Sequence, residues 1–174
     1  MGDIAAHLVR LPRELGALLR DRQQLLVTAE SCTAGGVAYA VTQVSGASAW
    51  FDRGFIVYSN ESKQKLLGVP AAYLRDYGAV SEPVARAMAL GALQHSSAHA
   101  SLAVTGIAGP DGGAPGKPVG TVCFAWAQRR DASAPARVRT STRHFAGDRA
   151  AVRSHAIAEA LAGMIEALRL DAKQ

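Results

Sequence analysis

Apolar residues at Ile4, Leu8, Leu11, Leu15, Leu18 and Leu19 recur every three or four positions, which predicts an amphipathic helix over Asp3 to Asp21. Pro12 either kinks that helix or delays its start. Leu25 to Thr28 is a short apolar run and reads as a buried strand, after which small residues and Thr33 predict a second helix over Val37 to Val44, packed closely on it. Phe51 to Ser59 reads as a second strand. Asn60 opens a short helix through Leu67 that Gly68 and Pro70 end. Ser81-Glu82-Pro83 places a cap and a first-turn proline ahead of a helix running to about Ser97. Ser101 to Thr105 predicts a third strand, Gly120 to Gln128 a fourth and Arg137 to Phe145 a fifth. The polar turn Arg129 to Pro135 joins the last two as a hairpin. Asp148 caps a final helix reaching about Leu170. Strands alternating with helices, then a hairpin and a helix, predict a three-layer α/β/α sandwich with a mixed sheet, in one domain over residues 1–174.

Composition narrows the function classes. The 174 residues are 49% apolar and 19% charged, enough to bury a core without a disulfide scaffold, and no apolar run approaches the ~20 residues that span a bilayer. No membrane partner is expected. Met1 to Arg10 carries Asp3, His7 and Arg10 among its apolar residues and does not form an export signal, so Cys32 and Cys123 are expected as reduced thiols in the cytoplasm. Nineteen Lys plus Arg against fourteen Asp plus Glu leave a net charge of +5. The basic residues are scattered, with only Arg137, Arg139 and Arg143 near one another, and no specific nucleic-acid partner is expected. The five histidines have no ligand spacing and the two cysteines are far apart, so no metal is expected.

Chemistry belongs where the strands end. In open α/β sheets ligands bind outside the carboxyl ends of the parallel strands, so Ser31, the segment Tyr58 to Lys63 and the segment Thr105 to Gly113 should converge on one crevice. Taken alone, Ser31 reads as a helix cap or small packing residue as readily as a nucleophile, and Cys32 as a buried thiol. In a helix beginning near Asn60, Lys63 lies one turn in and points back toward the strand end, whereas Lys65 is turned about 200° away. Lys63 is therefore either a general base of lowered pKa or an ordinary helix lysine. The loop Gly106 to Gly113 lacks the nucleotide-binding P-loop pattern and serves as an anion cradle or as a rigid connection. Arg149 and Arg153, one helical turn apart, reach a phosphate or line a solvated face.

Six segments together are more specific than any one of them: Thr28-Ala29-Glu30-Ser31-Cys32-Thr33-Ala34-Gly35-Gly36, Tyr58-Ser59-Asn60-Glu61-Ser62-Lys63, Tyr77-Gly78-Ala79-Val80-Ser81, Thr105 to Gly113, Lys117 to Val122, and Phe145-Ala146-Gly147-Asp148-Arg149. On these the chain, from about residue 5 to 170, resembles the CinA C-terminal domain family. The resemblance implies a five-stranded mixed sheet whose fourth strand is antiparallel, and a Ser/Lys amidohydrolase without a cofactor. In stand-alone members the substrate is nicotinamide mononucleotide, so pyridine nucleotide salvage is the expected setting and a homodimer the expected assembly.

Carried over position by position, the resemblance makes Ser31 the nucleophile, Lys63 its general base and Tyr58 the group that orients the lysine or relays its proton. Backbone N–H groups at Ser31 to Ala34 or at Gly106 are expected to hold the oxyanion. Thr33, Ala34, Gly35, Thr105, Gly106 and Gly109 are expected to hold substrate, with Arg149 on its phosphate. Two alternatives keep the same fold: a catalytically silent binding module, and an amidohydrolase of another small amide.

Overall fold

A computed structural model of the protein describes residues 4–171; Asp3, with which the predicted first helix begins, lies outside them. The elements, in order, are α1 (Ile4–Asp21), β1 (Leu26–Glu30), α2 (Gly36–Thr42), a short 3-10 turn (Ala47–Ala49), β2 (Phe51–Ile56), α3 (Asn60–Leu67), α4 (Ala71–Asp76), α5 (Glu82–Gln94), β3 (Ala100–Gly106), β4 (Thr121–Gln128), β5 (Arg137–His144) and α6 (Arg149–Asp171). The strands form one sheet in the order β2-β1-β3-β4-β5. β1 is parallel to both neighbours, and β4 is antiparallel to β3 and β5, so the mixed sheet with its reversed fourth strand is as predicted. None of the described helices is long and apolar enough to cross a membrane.

Alternation along the strands divides the core between the two faces of the sheet. Leu26, Leu102, Val104, Phe124 and Trp126 pack under α1, α2 and α6, whereas Val27, Ala29, Ala103 and Ala125 pack under α3 and α5. The Trp126 indole N–H reaches the Ala160 carbonyl at 2.8 Å and ties β4 to α6.

Several boundaries differ from expectation for identifiable reasons. β1 runs to Glu30 instead of stopping at Thr28, because the Glu30 carboxylate is fully hydrogen-bonded inside the protein. β2 ends at Ile56, short of Ser59, since its partner β1 ends at Glu30; the last bond between them is Val57 N–H to the Glu30 carbonyl. Pro12 lies inside α1, which neither starts late nor stops there. α3 does run from Asn60 to Leu67 as expected, with Ser59 capping it by accepting from the Ser62 N–H at 3.0 Å. Ser81 does not cap α5 through its side chain, because its hydroxyl donates to the Gly78 carbonyl instead. Asp148 does cap α6, on the Ala151 N–H at 2.8 Å. The single-turn α4 buries no residue fully, which is why no apolar periodicity announced it.

Connectivity makes the cleft. From β1 the chain turns outward through α2 to β2, then crosses back over α3, α4 and α5 to β3 on the other side of β1. The carboxyl ends of β1 and β3 therefore diverge at a topological switch point. The packing that holds α3 beside this point is close: α5 touches it at Gly91, where a Cβ would overlap the Leu67 carbonyl. Gly91→Ala is expected to lower stability by about 1–3 kcal/mol despite the better helix propensity of alanine. Urea unfolding read by circular dichroism checks this.

Candidate functional site

Ser31 is the first residue after β1 and Lys63 the first-turn lysine of α3. Both are buried, Lys63 almost completely at 1% exposure. The Lys63 side chain runs back along α3 to the strand ends, as its helical position predicts. There its Nζ lies 3.1 Å from Ser31 Oγ, 2.9 Å from the Val57 carbonyl and 3.1 Å from the Tyr58 carbonyl. Burial lowers its pKa below the ordinary lysine value. An uncharged amine has two N–H bonds, and the two carbonyls accept both. The lone pair is then left on the Ser31 side, where the hydroxyl can donate to it.

Around this pair lies a cleft of about 180 Å3, whose lining includes Ser31, Cys32, Tyr58, Lys63, Thr105, Gly106 and Arg149. Asn60, Ala79, Val80 and Ala108 complete the lining. The Thr105 hydroxyl is committed to the Ala79 carbonyl at 2.8 Å, which ties the end of β3 to the loop before α5. Arg149 donates to the Gly109 carbonyl at 2.9 Å and stands 3.4 Å from the Tyr58 hydroxyl, across the mouth of the cleft. Among the described residues it has no carboxylate partner, so its charge is open to an anion. Cys32 stays a thiol, since burial and the nearby Glu30 charge push its pKa up to about 12. Both cysteines are free.

The predicted site residues divide in two. Ser31, Lys63, Tyr58, Thr105, Gly106 and Arg149 meet at the cleft. Tyr58 touches Lys63 through its carbonyl rather than its ring, and its exposed hydroxyl faces Arg149. Thr33, Ala34, Gly35 and Gly109 do not line the cleft. Thr33 is fully buried with its hydroxyl on Glu30, at 2.7 Å, and the Gly109 carbonyl is held by Arg149. Ala34 and Gly35 have φ of 50° and 89° and serve to turn the chain from β1 into α2.

Glu30, which sequence reasoning passed over, is the one fully buried carboxylate beside Ser31. An acidic residue at the end of an apolar strand was the available signal. Among the described residues no group of three His, Cys, Asp or Glu side chains could hold a metal ion. A larger groove of about 430 Å3, lined by Leu8, Val9, Pro12, Tyr39 and Val44, contains no serine, cysteine, lysine, histidine or carboxylate. Of these two cavities, the smaller cleft is the one that gathers the reactive groups.

The chain is similar to known proteins along most of its length. The family model of the CinA C-terminal domain matches residues 9–168. The chain is 47% identical over 156 residues to the Escherichia coli K12 protein named nicotinamide-nucleotide amidohydrolase PncC, covering 90% of this chain and 92% of that one. It is 56% identical over 155 residues to a Symbiobacterium thermophilum protein whose name refers to competence-damage induction. There the match covers 87% of this chain, which spans only 36% of the longer relative. Among solved structures, the competence damage-inducible protein A of Klebsiella pneumoniae superposes with a TM-score of 0.87 at 38% identity, covering 93% of this chain and 97% of that one. The competence/damage inducible protein CihA of Agrobacterium tumefaciens gives 0.86 at 38% identity, covering 97% and 99%.

Proposed function

The chain belongs to the CinA C-terminal domain family, and from that premise we propose that it hydrolyses the carboxamide of nicotinamide mononucleotide to nicotinic acid mononucleotide and ammonia. The observation that carries this reading is the buried contact of Lys63 Nζ with Ser31 Oγ at 3.1 Å, with the other hydrogen-bonding directions of the amine taken by two carbonyls. Neutral Lys63 draws the proton from Ser31 as Oγ attacks the carboxamide carbon. The ammonium so formed returns that proton to the leaving nitrogen, the C–N bond breaks and ammonia departs. Water then enters, Lys63 takes its proton as the hydroxide attacks the acyl ester, and the ammonium passes that proton to the departing Ser31 Oγ, which releases the acid and restores both groups. Nucleophile and base both come from the chain itself.

The strand alternation supports Gly106 as an oxyanion donor. Ile107 gives its N–H to the Thr121 carbonyl and Ser31 gives its N–H to the Val104 carbonyl, so along β3 residues 104 and 106 face β1 and residues 105 and 107 face β4. The Gly106 N–H then points past the end of β1, into the space that the chain leaves at Ser31. A volume of about 180 Å3 suits one six-membered ring, since an engineered cavity of about 150 Å3 binds benzene. The ring with its carboxamide enters toward Ser31, and the ribose phosphate extends past Tyr58 to the unpaired charge of Arg149. Tyr58 orients Lys63 through its carbonyl.

Ammonia release by the wild type, with EDTA present throughout, tests the reading. Nicotinamide mononucleotide is expected to be turned over, and free nicotinamide to show a kcat/KM lower by roughly 10-fold or more, for want of the Arg149 contact. Release from nicotinamide alone would move the assignment to a smaller amide. Release from neither, by the folded protein, would leave an amidohydrolase of another small amide or a binding module.

A further inference from the structure

We infer that Glu30 is a positioning residue for Ser31: its buried carboxylate sets the turn that aims the nucleophile at Lys63. The inference rests on the proposed role of Ser31. Glu30 is fully buried, and its carboxylate accepts from Thr28 Oγ1 at 3.2 Å, Thr33 Oγ1 at 2.7 Å, Val37 N–H at 3.0 Å and Ala38 N–H at 2.9 Å. No cation is among these partners. The charge is met by hydroxyls and by the unpaired N–H groups that open α2, which a carboxylate satisfies well.

What those bonds hold is a turn that would not hold itself. Ala34 and Gly35 both have positive φ, 50° and 89°, and for alanine that region is crowded by its own Cβ. A conformation of this kind persists when its surroundings over-determine it. Glu30 supplies the determination from below: it grips Thr33 within the turn and Val37 and Ala38 beyond it, while its own carbonyl accepts the Val57 N–H from the β2 end. Val57 is in turn the residue whose carbonyl holds Lys63 Nζ. The two halves of the dyad are thus referred to one residue, with the Ser31 N–H fixed separately on the Val104 carbonyl at 2.9 Å.

Glu30→Gln keeps the shape but leaves one acceptor oxygen, and turns an NH2 group toward N–H donors. Three readouts on the purified full chain are compared with wild type: steady-state ammonia release, the rate at which a sulfonyl fluoride labels Ser31 as located by peptide mass spectrometry, and the melting temperature. A displaced Ser31 is expected to lower kcat and the labelling rate together, on the order of 10^2-fold, with KM within about twofold and the pH of half-maximal activity unchanged. Wild-type kcat and labelling accompanied only by a lower melting temperature would make Glu30 scaffolding and overturn the proposal.

Thr33→Val covers the case in which Glu30→Gln does not fold. It removes one donor from the carboxylate and is expected to lower kcat roughly 5-fold at constant KM. A raised KM with unchanged kcat would mean that Thr33 meets the substrate, against the proposal. Wild type that is neither labelled at Ser31 nor active would remove the nucleophile assignment, and this inference with it. Wild type labelled and active, beside an equally reactive Glu30→Gln, defeats the inference alone.

Discussion

Ser31→Ala is expected to lower ammonia release from nicotinamide mononucleotide by at least about 10^4-fold while leaving the fold in place. The size follows from the loss of the hydroxyl proposed to form the acyl bond. Cys32, the next residue in the same turn, cannot replace it, because with a pKa of about 12 its thiolate is nearly absent. The fold survives because Ser31 makes its structural bonds through the backbone, from its N–H to Val104 and from its carbonyl to the Ala34 N–H. Alanine keeps both. The side chain contributes one hydrogen bond, to Lys63 Nζ, so a melting temperature within a few degrees of wild type is expected. Residual activity above about one-tenth of wild type would mean that water, not Ser31, attacks the amide, with Lys63 as its base. Rapid-quench mass spectrometry of the wild type provides the complementary test, since only the serine route adds the acyl mass to Ser31.

The layered fold and the central pair were legible in the sequence for different reasons. Continuous apolar runs and 3.6-residue periods both report burial, and burial dominates β1, β3, β4 and the long helices, so those elements appear within a few residues of their predicted bounds. Ser31 and Lys63 could be brought together because position after a strand and position within a helix both have geometric consequences. What sequence could not supply was the destination of polar side chains. A contiguous motif such as Thr33-Ala34-Gly35 suggests a contiguous binding surface, yet the turn buries Thr33 against Glu30 and uses Ala34 and Gly35 for their backbone. Ser81 resembled a cap and found a nearer acceptor at Gly78. Tyr58, expected to orient the lysine or relay its proton, meets it through its carbonyl. Each of these depends on which of several acceptors lies within about 3 Å, which folding decides.

Lys63 gives the second large effect, and its sign can be worked out. Desolvation disfavours the ammonium and lowers the folded-state pKa below 10.5. In the proposed mechanism the amine form takes the proton, so kcat/KM is expected to rise with pH through that lowered value and level off above it, about tenfold per pH unit on the acid limb. Lys63→Met should lower activity by about 10^3-fold or more and abolish that limb, as methionine fills a similar volume and has no base to offer. Stability follows the same titration. Between the folded-state pKa and 10.5 the unfolded chain binds the proton and the folded chain does not, so wild-type stability rises with pH across that window. Below the window both states are protonated and the full cost of burying the ammonium is felt. In Lys63→Met the rise should vanish. Denaturant midpoints measured at closely spaced pH values, beside the kinetic profile, therefore report one titration through two observables. A wild-type acid limb that persists in Lys63→Met would assign it to another group and overturn the role of Lys63 as base.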